Sequence, residues 1–170
     1  MLFFLKPIRL TLKALITQAT PGQLALGFAF GVLIGMVPKG NLIALTLGII
    51  LAASRANLAI ATGTILIVSL LSGYFDSVFD SVGGYVLSHP ALFETWTNLY
   101  NRPLAPWTDF NNTIVMGSLL VGIACLYPSY RISKPLFAAY TEKAARYAKR
   151  FWLTRVLLGM EVADRLSLSD

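Results

Sequence analysis

A chain of 170 residues with 56% hydrophobic and 13% charged side chains carries about half the charge of a soluble domain, for which about 25% is usual. Its net charge of +6 comes from basic residues at the edges of apolar stretches. They are not interleaved with aromatics on a hydrophilic surface, which argues against nucleic-acid binding and for membrane orientation.

The first twenty residues are expected to form an interfacial amphipathic helix. Lys6, Arg9 and Lys13 interrupt the apolar residues, so a signal peptide with an uninterrupted apolar stretch and cleavage site is not expected there. Phe4, Ile8, Leu12, Leu15 and Ile16 can share the opposite side of that helix. Pro21 and Gly22 then open a first apolar segment, which stops at Pro38-Lys39-Gly40-Asn41, a proline–glycine break around a charge. A second apolar segment, 42–53, ends at Ser54-Arg55-Ala56-Asn57.

Length decides what these two segments can be. Crossing a hydrocarbon core of ~30 Å takes about 20 helical residues, and the second segment reaches only ~18 Å at about 1.5 Å per residue. Residues 22–54 are therefore expected to form a helical hairpin, either re-entrant or two thin tilted spans. Segments of 10–14 residues favour the re-entrant form.

A span follows over residues 58–75. Asp76 and Asp80 mark its exit, and the polar, proline-punctuated stretch 76–112 reads as an extracytoplasmic loop. A second span covers 113–130. Residues 133–166 read as an amphipathic cytoplasmic helix started by Pro135, with Lys143, Arg146, Lys149 and Arg150 on its basic side. Such a helix suits an anionic inner leaflet or a docked partner protein.

Lysine and arginine mark the cytoplasmic face. Residues 131–170 hold eight basic against four acidic side chains, whereas 76–112 holds four acidic residues against Arg102. Both termini are expected in the cytoplasm, with a multi-pass chain in a bacterial inner membrane.

Three glycines, Gly27, Gly31 and Gly35, stand four apart in the first segment. Each costs a helix about 1 kcal/mol against alanine in water, but in lipid small residues let backbones approach. Ala44, Gly48 and Ala52 repeat the spacing in the second segment, Ala59/Gly63 and Ser69/Gly73 in the third, Ser118 and Gly122 in the fourth. Each helix thus owns a small-residue face for packing, within the chain, in a homo-oligomer or on another membrane protein.

Groups for chemistry are few. His89 precedes Pro90 in a polar stretch, and Cys125 lies alone in an apolar run, so neither a metal cluster nor a disulfide framework is expected. No phosphate-binding glycine loop occurs, and no cofactor is expected. Asp76 and Asp80 would share a helix face, where a solvated helix end explains them better than acid–base work. Trp96, Trp107, Tyr127 and Tyr130 suit an interfacial aromatic belt. The functional candidates are Lys39 and Arg55, each followed two residues on by Asn41 and Asn57. Charges near a membrane interior invite a functional reading, here a shared lipid phosphate or an acidic partner.

The stretch "PGQLALGFAFGVLIGMVPKGNLIALTLGIILAASRANLAIATG" joins an Ala-x-Gly-x-x-x-Gly segment, a Pro-x-Gly break, a short apolar segment and an Arg-x-Asn break, with "GGYVL" downstream. From residue 21 to about residue 87 it resembles a family of small bacterial inner-membrane proteins of unknown function. The Asn-Pro usual early in that family's third segment is absent from "IVSLLSGYF", which marks a divergent branch. The resemblance implies an inner-membrane location. Some relatives are joined to glycosyltransferase-like domains, which implies envelope assembly.

The function expected is a non-enzymatic subunit or anchor of an envelope-biogenesis or lipid-handling assembly. The alternative is a small transporter or lipid-translocating protein that uses the broken helices, against which the scarcity of polar side chains between the breaks counts.

Overall fold

In the computed structural model, residues 19–150 are described, with side chains described as far as Tyr140. Six helices occur among them: α1 (Pro21–Met36), α2 (Leu42–Ala53), α3 (Leu58–Ser72), α4 (Asp76–Leu87), α5 (Phe93–Tyr100) and α6 (Thr113–Arg150). Short 3-10 turns at Gly73–Phe75, Pro90–Leu92 and Ala105–Thr108 link them. The fold is all-helical, as expected.

Local chemistry fixes each start. Thr20 Oγ1 accepts the Gln23 N–H at 3.3 Å while Gln23 Oε1 accepts the Thr20 N–H at 3.0 Å, a reciprocal cap that satisfies two donors at the head of α1. Asn41 Oδ1 accepts from the Ala44 N–H at 2.8 Å and Asn57 Oδ1 from the Ile60 N–H at 3.0 Å, so these asparagines cap α2 and α3. Asn112 Oδ1 accepts from the Ile114 and Val115 N–H groups at the head of α6. Between α1 and α2, Gly40 takes φ +99°, a conformation glycine adopts without a Cβ clash.

Two boundaries differ from expectation. The third apolar segment does not stop at Phe75. It continues through the 3-10 turn at Gly73–Phe75 into α4, giving one apolar rod of 30 residues, Leu58–Leu87. Asp76 starts α4, where a carboxylate is favourable in a helix's first turn, so the stretch 76–112 begins as helix rather than loop. The fourth segment also runs on: α6 passes through both Pro128 and Pro135. Each proline removes one N–H, leaving the carbonyls of Ala124 and Arg131 without their helical donors, yet helix continues on both sides. Pro135 therefore starts no separate helix. Leu58–Leu87 and Thr113–Tyr140 are both long and apolar enough to cross a membrane. The expected interfacial helix, save residues 19–20, and residues 151–166 of the expected cytoplasmic helix fall outside the described residues, while residues 133–150 continue α6.

The short helix α1 is the centre of the packing. Eight of its sixteen residues are buried, against one in α2 and one in α3. It runs parallel to α3, with Gly27 beside Asn57, Gly31 beside Ala61 and Thr64, and Gly35 beside Val68. It runs antiparallel to α6, with Gly22 near Tyr130 and Leu33 against Gly122. α2 returns along the outside of this pair, where Leu51 and Leu47 pack with Ile34, Phe30 and Ala61.

That register sets the hairpin's reach. Its base lies beside Asn57 and its tip beside Val68 and Ser69, where Ser69 Oγ donates to the Gly35 carbonyl at 3.2 Å. The same tip lies against the segment 99–110, where Leu42 and Ile43 line one cleft with Arg102 and Leu104.

Candidate functional site

The hairpin carries the four residues singled out for lipid or partner contact, and the structure does not gather them. Lys39 sits at the tip. Its ammonium donates to the carbonyls of Ile34 (2.7 Å), Gly35 (3.2 Å) and Val37 (2.5 Å). A helix ends with carbonyls that lack donors, and a cation there also meets the negative end of the helix dipole. Lys39 is therefore the C-terminal cap of α1, and its three N–H groups are occupied. Asn41 closes the same turn, donating from Nδ2 to the Pro38 carbonyl at 3.0 Å.

Arg55 sits at the opposite end of α2, ~18 Å away along a twelve-residue helix. It is exposed and makes no hydrogen bond to the described residues. Asn57 beside it is a backbone fixture: its N–H donates to the Gln23 carbonyl at 3.0 Å and its side chain caps α3. Lys39 and Arg55 cannot share one phosphate.

The small-residue faces divide in two. A Cβ at Gly31 would lie 2.5 Å from Thr64 Cβ and 2.9 Å from the Ala61 carbonyl oxygen, and one at Gly35 would lie 2.6 Å from Val68 Cβ. At Gly27 it would fall on the Asn57 carbonyl, and at Gly122 it would lie 2.6 Å from a Leu33 methyl. These glycines are contact points between helices of one chain. Ser118 is fully buried and its hydroxyl donates to the Val115 carbonyl.

The Ala44–Gly48–Ala52 face is open at Gly48 and Ala52, while Ala44 is half-buried. No heavy atom lies within 4 Å of a Cβ built at Gly48, and Ala52 is exposed. The cause is rotational. Leu47 and Leu51 turn toward α1, and residues one position on point about 100° away in a helix of 3.6 residues per turn.

Other candidates take structural places. Asp80 accepts a short hydrogen bond from Thr113 Oγ1, which ties α4 to the start of α6. His89 Nδ1 accepts the Ala91 N–H at 3.3 Å and caps the Pro90–Leu92 turn. Trp96 is no free anchor: Nε1 donates to the Val86 carbonyl at 3.2 Å and the ring packs on Phe110. Trp107 and Tyr127 are exposed, and Tyr130 is half-buried. The side chains of Lys143, Arg146, Lys149 and Arg150 lie outside the described residues. Among the described residues, no three of His, Cys, Asp and Glu gather as a metal site would require.

Two features escaped the sequence. A Cβ at Gly83 would strike the Thr113 carbonyl and one at Gly117 the Phe79 carbonyl, so α4 and α6 cross backbone to backbone. The doublet Gly83-Gly84, inside a stretch read as loop, was the available signal. The second is Arg102, which lines an apolar cleft beside the start of α2.

These elements define an all-helical protein with two rods able to cross a bilayer and a capped short-helix hairpin packed between them. The chain belongs to DUF2062, a family described as uncharacterized protein conserved in bacteria, whose profile matches residues 7–146. It is 24% identical over 128 residues to an uncharacterized protein of Treponema pallidum (strain Nichols), spanning 75% of this chain and 79% of that one. No solved structure matches.

Proposed function

We propose that this chain is a non-enzymatic, multi-pass protein of the bacterial inner membrane, a subunit or anchor of an envelope-biogenesis or lipid-handling assembly. The observation that carries the membrane part is the exposure of its most apolar surfaces. Only 11% of the apolar window in Leu58–Leu87 and 28% of that in Thr113–Tyr140 is buried. Leu66, Ile67, Leu70, Ile123 and Ile132 are all more than half exposed. A soluble monomer does not leave two such rods uncovered, whereas lipid covers them at no cost.

The hairpin enters from the basic end and turns beside the segment 99–110. At the tip, Lys39 and Asn41 satisfy carbonyls that a broken helix would leave bare, as irregular backbone in a membrane protein requires. The same saturation counts against transport through the hairpin. A substrate site needs polar groups free to bind, and those at the tip, Lys39 and Asn41, are committed to backbone. The anchor role rests on exposed helix faces that partners can use, Ala44–Gly48–Ala52 among them, and on the basic C-terminal stretch that suits anionic lipid.

Membrane integration is tested by alkaline carbonate extraction, with the protein expected to stay in the pellet. The subunit role is tested by gentle detergent purification. Co-purification of a second membrane protein or a homo-oligomer is expected, and recovery of a bare monomer would count against it.

A further inference from the structure

We propose that the cleft beside Arg102 holds one phospholipid, its phosphate on the guanidinium and an acyl chain along the apolar wall; this rests on the membrane reading above. The cleft opens where the first turn of α2, the segment 99–110 and the first turns of α6 meet. Its wall is apolar, built by Leu42, Ile43, Leu104, Met116 and Leu119, with Arg102 as the one charged side chain. Its volume is about 460 Å³, within the range of about 300–1,000 Å³ usual for small-molecule sites.

Behind it, Ala105, Phe110 and Met116 form a buried cluster with Ile43 against it, so the floor is firm. Leu104 stands at the mouth with φ 70° and 65% exposure. The backbone there is held in the left-handed region, which an L-residue adopts only at a cost.

Arg102 decides the ligand class. It is the only cation between residues 56 and 130, it is exposed, and it pairs with no described carboxylate. A guanidinium is always charged, and its planar fork matches phosphate oxygens two at a time. A free anion would leave the apolar wall bare, and a hydrocarbon would leave the guanidinium without a partner. A phosphodiester that carries an acyl chain satisfies both. The cleft also lies at the hairpin's tip, where the Lys39 ammonium is held by the carbonyls of Ile34, Gly35 and Val37, and away from the end where Arg131 and Lys134 stand.

The test compares wild type with Arg102→Gln and with Arg55→Gln, an exposed arginine at the hairpin's other end. Each protein is reconstituted in nanodiscs of equal phosphatidylglycerol and phosphatidylcholine, released, and weighed by native mass spectrometry. Wild type and Arg55→Gln should each keep one phosphatidylglycerol. Occupancy should fall about tenfold in Arg102→Gln, the loss of one charge-assisted contact. Ile43→Trp, which fills the cleft but keeps the charge, should lower it as well. Equal retention in wild type and Arg102→Gln would overturn the proposal, as would equal loss in Arg55→Gln or a retained protein in place of lipid. A chain that fails to enter nanodiscs at all would instead refute the membrane reading.

Discussion

Gly83 and Gly117 face each other across the contact of α4 and α6, each lying where the other helix's backbone leaves no room for a methyl group. Helices in lipid hold together by close contact rather than by hiding leucine from water, and this crossing is the tightest approach at any described glycine. The atoms met are backbone carbonyls, which cannot swing aside as a side-chain tip can. Gly83→Ala and Gly117→Ala are therefore each expected to destabilise the folded protein by about 1–3 kcal/mol or more. Thermal melting in mild detergent should show it.

The α1 stripe and the α2 stripe look alike in sequence and should behave differently. Gly31→Ala drives a methyl into Thr64 and the Ala61 carbonyl, whereas Gly48→Ala meets open space. The first should lower the melting temperature at a cost of about 1–3 kcal/mol. The second should leave it unchanged or raise it slightly, since alanine outranks glycine as a helix former by about 1 kcal/mol in water. If Gly48→Ala instead dissolves a homo-oligomer, the α2 face is a subunit contact.

Much of the fold was legible because it rests on local rules. Proline, glycine and asparagine marked the ends of α1 and α2, and four-residue glycine spacing marked the helix face that meets α3. What escaped depends on neighbours. Asp76 looks like a membrane exit until Thr113 and Gly117 supply a surface for α4 to pack on. Pro135 looks like a helix start, yet α6 tolerates a missing hydrogen bond inside a long helix. Lys39 and Arg55 looked like a pair because each precedes an asparagine by two residues. The helix between them holds them apart, and the carbonyls at the end of α1 claim one of them.

Lys39 should accordingly behave as a cap. Lys39→Ala removes three hydrogen bonds to the carbonyls of Ile34, Gly35 and Val37. It should cost about 1–3 kcal/mol in melting experiments, in keeping with bonds to a charged group. Retained phosphatidylglycerol should stay as in wild type. Unchanged stability with lost lipid would make Lys39 a lipid ligand instead.

The Asp80–Thr113 hydrogen bond joins the long rod to the start of α6. Thr113→Val keeps the shape of the side chain and removes the donor, leaving a carboxylate that is exposed to solvent. A loss of about 1 kcal/mol is expected, with hydrogen exchange accelerating first in the early turns of α6.

The central claim is that the hairpin enters from the basic side and returns to it. Impermeant maleimide labelling of single cysteines in a Cys125→Ser background tests it most directly. Asn111→Cys should label from outside intact spheroplasts, and Ser54→Cys only from the cytoplasmic side. Labelling of Ser54→Cys from outside, or of Asn111→Cys only from the cytoplasmic side, would overturn the account.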